Sequence, residues 1–151
     1  MKYIKLFESH YNFENIINQI KNDGFSYKEF GGDMKISKNG SYVKFFYMKD
    51  TYHIIEFNDV SLEKVYDEIG EECYFVSSVS IDNDSPLLIR RFLTYVENFA
   101  VEHEIDTICL VAEPFGNKKL SYDKLISLYQ RMGFIKFEDI SEGVTIMYKN
   151  I

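Results

Sequence analysis

The chain has few cysteines and no long apolar run, which argues against a disulfide-rich secreted protein and against a membrane protein. Cys73 and Cys109 are the two cysteines, and each lies in an apolar, strand-like segment. Two cysteines do not make a disulfide framework, so we expect reduced core residues in an intracellular, cytoplasmic protein. No apolar stretch approaches the roughly 20 residues of a membrane span, and the start of the sequence lacks the apolar core of a secretory signal. We therefore expect no membrane partner.

Basic charge is also scarce. The sequence has 17 Lys and Arg residues against 24 Asp and Glu residues, a net charge of −7. No run of basic residues is present, and an acidic protein does not attract phosphate backbones by its overall field, so we expect no nucleic-acid partner. The acidity suits a cationic substrate or, more commonly, a solubilising surface. The histidines and cysteines show no metal-ligand spacing, so no metal is expected.

The residues that are present indicate one domain over 1–151 with an apolar core, since 46% of the sequence is hydrophobic. Apolar residues at helical spacing predict a helix from Asn12 to Lys21. Short aromatic and β-branched segments, separated by turn residues, predict an antiparallel meander. Its strands are Met34–Ser37, Tyr42–Met48 and Tyr52–Phe57. Ser61–Ile69 follows as a short helix or turn.

The second half of the chain has clearer signals. Tyr74–Ile81 is a strong strand pattern, and Ser85-Pro86 begins a long helix with serine as the N-cap. Thr107–Ala112 is nearly all apolar, which suits a central strand buried on both faces. A helix capped by Ser121 and a strand hairpin complete the domain. The pattern predicts an α/β protein with helices on both sides of one sheet.

One further motif lies at Leu128–Phe134, where LYQRMGF ends a helix and enters a strand. Together with the preceding strand, long helix and buried strand, this segment resembles the C-terminal half of the GCN5-related N-acetyltransferases (GNAT superfamily). Its leucine-tyrosine-x-x-x-glycine-phenylalanine pattern is the one usual in that family. The resemblance covers residues 74–148, about half the chain. It implies a mixed, mostly antiparallel central sheet flanked by helices on both faces.

The resemblance also implies a cofactor, acetyl-CoA, in a wedge between the fourth and fifth strands of the family's sheet. The fourth strand would contact the pantetheine arm, and the following helix start would receive the pyrophosphate, because helix N-termini favour anions. The residues that this reading assigns to the cofactor are Ser78, Val79, Ser80, Ile81, Ser85, Leu87, Leu88 and Arg90.

Two residues are candidates for catalysis. Tyr129 matches the family's tyrosine that acts as general acid toward the departing thiolate, and its alternative is an ordinary core tyrosine. Glu113 follows the buried strand, so it can deprotonate an amine directly or through water. Its alternative is a simple strand end, because Pro114 comes next. The acceptor would be an amine-bearing small molecule or protein, and nothing in the sequence indicates the oligomeric state.

The sequence departs from the family at the pyrophosphate loop. Asp84–Ile89 contains no glycine where the family has two small positions that let backbone amides approach phosphate. Pro86 has no amide hydrogen, and Asp82 places a negative charge nearby. A GNAT-fold protein without catalysis, acting as a binding or structural module, is therefore the alternative to an active N-acetyltransferase. A non-catalytic acyl or CoA sensor is a third reading.

The first residues, MKYIKLFE, resemble the capsid-targeting peptides of some tailed-phage internal head proteins, which end in Leu/Ile-x-Glu. Leu6-Phe7-Glu8 fits that pattern. The alternative is an amphipathic edge strand over Tyr3–Phe7. The first reading predicts a phage-encoded protein located in the host cytoplasm or the virion.

Overall fold

The computed structural model describes residues 12–57, 60–82, 85–114 and 121–151. The strands are β1 (Ser26–Phe30), β2 (Asp33–Lys38), β3 (Ser41–Met48), β4 (Cys73–Ser80), β5 (Thr107–Ala112), β6 (Ile135–Ser141) and β7 (Val144–Asn150). The helices are α1 (Glu14–Asn22), a 3₁₀ helix (Thr51–Phe57), α2 (Leu62–Glu68), α3 (Pro86–Glu102) and α4 (Tyr122–Arg131). The peptide motif Leu6-Phe7-Glu8, the edge strand predicted at Tyr3–Phe7 and Asp84 lie outside the described residues.

The described strands form one sheet in the order β1-β2-β3-β4-β5-β7-β6. Every neighbouring pair is antiparallel except β4 and β5, which run parallel and are joined by α3. The prediction of a mixed, mostly antiparallel sheet is confirmed. The single parallel pair matters for function, because the carboxyl ends of β4 and β5 meet at the same edge of the sheet.

The first half of the chain corrects one prediction. The meander is β1-β2-β3, whereas the strand predicted at Tyr52–Phe57 is wrong and belongs to the 3₁₀ helix. That segment has strand-forming side chains, but Ile54 is completely buried and Asp50 receives the Tyr52 amide at 3.2 Å, so packing and turn chemistry override propensity. The sequence pattern missed β1 because four of its five residues are exposed at the sheet edge, which removes any apolar alternation.

Serine caps begin three of the helices, and the sequence predicts two of them, at Ser85 and Ser121. The Oγ atoms of Ser61, Ser85 and Ser121 accept the amide three residues later, at 3.3, 3.3 and 3.4 Å. Each cap supplies a partner for an amide that the first helical turn leaves without one. In α3 the serine is followed by Pro86, whose ring suits the first helical position.

The sheet carries a separate apolar layer on each face. We call the face covered by α1, α3 and α4 the α3 face, and Phe92, Phe99 and Leu110 belong to its core. The opposite face, covered by the 3₁₀ helix and α2, is the α2 face; Val65 and Phe75 belong to its core. Helices on both faces are therefore confirmed. No helix in the described ranges is long and apolar enough to cross a membrane.

Candidate functional site

The site begins with an irregularity in β4. Along the ladder with β3, Phe45 pairs with Val76 and Lys44 pairs with Ser78, so Ser77 is an extra residue. The Ser77 hydroxyl donates to the Lys44 carbonyl at 3.3 Å. An extra residue of this kind is a β-bulge, which bends its strand and increases the local twist.

The bulge coincides with the point where β4 leaves β5. The β4–β5 ladder consists of Tyr74–Val76 against Ile108–Leu110 and stops at the residue before Ser77. Beyond the bulge, residues 78–80 remain paired with β3, and the end of β5 remains paired with β7. The β5-facing backbone groups of Ser77–Ser80 therefore have no strand partner in the described structure. The two strands form the wedge that the sequence resemblance implies.

A cavity of about 600 Å³ lies at this wedge. Leu87 and Leu88 are not part of its described lining, so neither side chain fills it. The side chains of the wall belong mainly to the α2 face, because Phe46 and Phe75 are cross-strand partners on that face. The lining residues are Tyr42, Phe46, Phe75, Ser77, Ser78, Val79, Ser80, Val111, Glu113, Pro114, Ile140 and Val144.

Glu113 stands at the β5 side of this cavity. Side chains alternate along β5, and Cys109 and Val111 belong to the α2-face cluster, so the alternation continues to Glu113 on the same face. Its side chain is exposed, and it is the charged residue in the described lining. The structure thus brings three predicted cofactor residues, Ser78, Val79 and Ser80, together with one predicted catalytic residue.

Tyr129 lies elsewhere. It is 1% exposed in the α3-face core, with its ring 5.8 Å from that of Phe134, and it is not part of the cavity's described lining. Burial raises the pKa of the Tyr129 phenol well above its ordinary value. Its hydroxyl has no hydrogen-bond partner within the part of the chain that the structure describes. Leaving a buried hydroxyl unsatisfied costs about 1–3 kcal/mol.

The predicted pyrophosphate residues are divided between locations. Ser85, Leu87 and Leu88 line a second cavity of about 240 Å³, together with Lys38 and Arg91. Arg90 is exposed outside that lining, and Ile81 is 3% exposed in the core. Since Pro86 has no amide hydrogen and Ser85 occupies the Leu88 amide, this helix start offers few donors to an anion.

A third cavity, of about 370 Å³, lies between the start of α3 and α4. Its lining includes Pro86, two cations, Lys124 and Arg131, and one carboxylate, Asp123. Sequence reasoning missed both cations. The available signal was their seven-residue spacing, which places them on the same side of a helix two turns apart. They supply positive charge on the α3 face, beside the helix start that lacks a glycine loop.

Sequence comparisons identify no family. No family model matches the chain. A segment of 49 residues is 45% identical to the large chain of carbamoyl phosphate synthase from Vibrio vulnificus (strain CMCP6), which is 32% of this chain and 4% of that protein. The match therefore spans a very small part of that relative.

Structural comparisons are broader. FeeM, an N-acyl amino acid synthase from uncultured soil microbes, superposes with a TM-score of 0.57 at 16% identity, covering 90% of this chain and 81% of that one. An agmatine N-acetyltransferase superposes with a TM-score of 0.53 at 11% identity, covering 81% of this chain and 75% of that one. A chain of the NatC complex bound to Gag peptide and CoA superposes with a TM-score of 0.50 at 11% identity, covering 96% of this chain and 94% of that one. With the sheet order and the wedge, these likenesses show that the chain has the fold of the GCN5-related N-acetyltransferases.

Proposed function

We propose that the protein is an N-acyltransferase that moves an acetyl group from acetyl-CoA to an amine. One observation carries this proposal. The β4 strand parts from β5 at the Ser77 bulge and leaves an open cavity where the two reactants can meet. The neighbours of similar fold, which include an N-acyl amino acid synthase and an agmatine N-acetyltransferase, support the same reaction class.

The residues present fit acetyl-CoA in two places. Its pantetheine arm is an extended chain with amide groups, and such a chain can hydrogen-bond to the unpaired edge of Ser77–Ser80 as an added strand would. Its phosphates require positive charge, which Lys124 and Arg131 supply beside Pro86 and which exceeds the single negative charge of Asp123 in the same lining. We propose that these cations replace the missing glycine loop, so that the phosphates bind by side-chain charge.

The reaction needs a nucleophilic amine, a polarised acyl carbon and a proton for the leaving group. Acetyl-CoA supplies the acyl group as an activated thioester. Glu113 takes one proton from the bound ammonium group, directly or through water, so that the nitrogen lone pair can form the new C–N bond. Backbone amides of Ser78–Ser80 donate hydrogen bonds to the acyl oxygen while the C–S bond breaks. The nitrogen then loses its remaining excess proton to solvent.

Tyr129 is the proposed proton donor to the departing sulfur. Its buried hydroxyl has no partner in the described residues, and a catalytic role is one explanation for such a group. Burial raises the pKa of the phenol, so it carries its proton at neutral pH but releases it less readily than an exposed tyrosine. The hydroxyl therefore supplies the proton that the thiolate gains as the C–S bond breaks, and the phenolate regains a proton from solvent before the next turnover.

Two measurements test this proposal. Calorimetric titration with acetyl-CoA should show saturable binding, and release of the CoA thiol in the presence of amines should reveal turnover. Tyr129→Phe should keep the binding and lower turnover about 100-fold, the scale of a lost general acid. Tyr148→Phe, on the α2 face, is the matched control and should change neither. No binding heat at millimolar acetyl-CoA would reject the proposal.

The start of α3 favours a second candidate, a GNAT-fold module that does not bind acetyl-CoA. Pro86 lacks an amide hydrogen and Ser85 occupies the Leu88 amide, which removes donors that a phosphate would need. This candidate expects a stable fold and no heat with acetyl-CoA. A sensor would bind acetyl-CoA without any turnover that depends on Tyr129. Phage origin and a role in the virion remain predictions from the N-terminal motif.

A further inference from the structure

The wedge cavity opens on the face opposite to the proposed entry of acetyl-CoA. Lys124 and Arg131, the proposed phosphate ligands, lie on α4, and α4 packs on the α3 face. Phe46, Phe75 and Val111 of the cavity wall belong to the α2 face. A donor held from the α3 face therefore leaves this cavity for the second reactant, and the two meet through the gap between β4 and β5.

The cavity wall is largely apolar on both sides. Phe46 and Phe75 pack with ring centroids 5.6 Å apart on the β3–β4 side. Val111, Ile140 and Val144 supply branched aliphatic groups on the other side, and all three are partly exposed. Binding sites for small molecules typically combine such walls with a small number of polar groups that orient the ligand. The wall therefore favours a ligand with an aromatic or branched aliphatic body.

The one charged side chain in the described lining of the cavity is negative. Glu113 is the charged residue of the described lining. Lys35 Nζ lies 4.5 Å from the centroid of Tyr42, a ring of the cavity wall, and Lys44 Nζ lies 5.5 Å from that of Phe30; neither lysine is itself part of the described lining. A carboxylate at the rim of an apolar cavity favours a cationic group on the ligand, and the aromatic faces add to that preference.

From these observations we infer that the acceptor is a primary amine carried on an aromatic or branched aliphatic body. The body occupies the apolar wall on the α2 face, and the ammonium group lies beside Glu113. Ser78 and Ser80 lie opposite Lys44 and Tyr42 on that same face, so their hydroxyls can orient the nitrogen toward the gap. The inference rests on the proposed function, because it names the acceptor for that reaction.

The test compares three small molecules that differ in whether they carry an aromatic ring, an ammonium group or both. Titration of the protein alone with 2-phenylethylamine, 2-phenylethanol and 1,4-diaminobutane gives each dissociation constant. The aromatic amine should bind at least tenfold more tightly than the neutral alcohol or the diamine. Equal affinity for the diamine would overturn the role of the apolar wall, and equal affinity for the alcohol would overturn the role of the charge.

Variants locate the binding. Glu113→Gln should weaken the binding of 2-phenylethylamine about fivefold, which is the upper range for the loss of an exposed ion pair. Phe46→Ala should weaken it about tenfold, because it removes half of the ring pair. Glu102→Gln, at the far end of α3, is the matched carboxylate control and should leave the affinity unchanged. Far-ultraviolet circular dichroism checks that each variant is folded. Unchanged binding in both cavity variants would overturn the assignment.

The outcomes separate this inference from the proposed function. Binding of acetyl-CoA without binding of 2-phenylethylamine would overturn the acceptor class and leave the acyltransferase proposal standing. Glu113-dependent binding of 2-phenylethylamine without binding of acetyl-CoA would support the amine site and reject the reaction. Displacement of 2-phenylethylamine by decanoyl-CoA, but not by acetyl-CoA, would assign the cavity to a long acyl chain and overturn the inference.

Discussion

The two halves of β4 differ in burial, pairing and composition. Cys73–Val76 is fully buried and pairs with β3, and over Tyr74–Val76 also with β5. Ser77–Ser80 is exposed or half-buried, consists mostly of serine, and pairs with β3 alone. One bulged residue separates the halves. The comparison teaches that one strand contributes to the core in its first half and offers an open edge in its second half. The transition between the two takes a single residue, Ser77.

The division has an energetic reason. A site needs unpaired backbone groups and open space, both of which reduce stability, so the stabilising contacts must lie elsewhere. In the first half of β4, Tyr74 is fully buried with its hydroxyl 2.7 Å from His103 Nδ1. The Tyr74 ring also packs edge-on to the imidazole, with centroids 5.5 Å apart. The paired half thus holds the open half in position.

The largest expected effect is a difference in the free energy of unfolding between variants in the two halves of β4. Leu110 is 1% exposed and pairs with Val76, so Leu110→Ala should lower the free energy of unfolding by about 2–5 kcal/mol. Ser78→Ala, in the open half, should change it by less than about 0.5 kcal/mol. Urea unfolding measures both. Similar losses for the two variants would contradict the division of β4.

The bulge itself can be removed. Deleting Ser77 makes Val76 and Ser78 consecutive opposite Phe45 and Lys44, which restores the regular alternation of β4 and lets its ladder with β5 continue past Val76. We expect acetyl-CoA affinity to fall more than tenfold in the calorimetric titration. Ser77→Ala keeps the residue count and should retain the affinity. A deletion variant that binds acetyl-CoA as well as the parent would show that the bulge does not open the site.

Two buried tyrosines sharpen the comparison further. Tyr74 and Tyr129 are both almost completely buried, but the Tyr74 hydroxyl lies at hydrogen-bond distance from His103 and the Tyr129 hydroxyl has no such contact in the described ranges. Tyr74→Phe should cost about 1–2 kcal/mol, because it removes a buried hydrogen bond. Tyr129→Phe should leave the unfolding free energy unchanged or raise it. A clear loss of stability in Tyr129→Phe would indicate a structural role for its hydroxyl.

The smallest effect is a pH dependence. Burial lowers the pKa of His103 below its ordinary 6.5, so the unfolded chain binds a proton first as the pH falls. Stability is therefore complete above pH 6.5 and decreases as the pH falls below it, by at most about 1.4 kcal/mol per pH unit. Urea midpoints from pH 8 to pH 5 measure this slope. His103→Gln should flatten it; an unchanged slope would assign the dependence to other groups.

Elements with strong local signals were predicted well. Thr107–Ala112 matches β5 in both bounds, and Ser85-Pro86 begins α3 as predicted. Gly133, with φ of 99°, lies just beyond α4, as the motif requires. The failures, β1 and Tyr52–Phe57, have a shared cause. Whether a weakly patterned segment is a strand depends on its neighbours in the sheet, which the local sequence does not contain.

The candidate site was predicted in part. Ser78–Ser80 and Glu113, which lie far apart in sequence, line one cavity in the structure. The roles of these residues, and the role of Tyr129, stay predictions until the titrations are made. The seven-residue spacing of Lys124 and Arg131 shows only that they share one side of a helix, and the packing of α4 beside Pro86 is what brings them to the start of α3.

The sequence by itself determined the second half of the fold, because caps, apolar runs and the Leu128–Phe134 motif act over a few residues. The tertiary structure alone decided where β4 and β5 part. The Ser77 bulge exists only as a mismatch between two strands, and a register is a property of the pair. It also decided that Glu113 and the aromatic wall share one face, because the order of strands in the sheet sets which side chains meet.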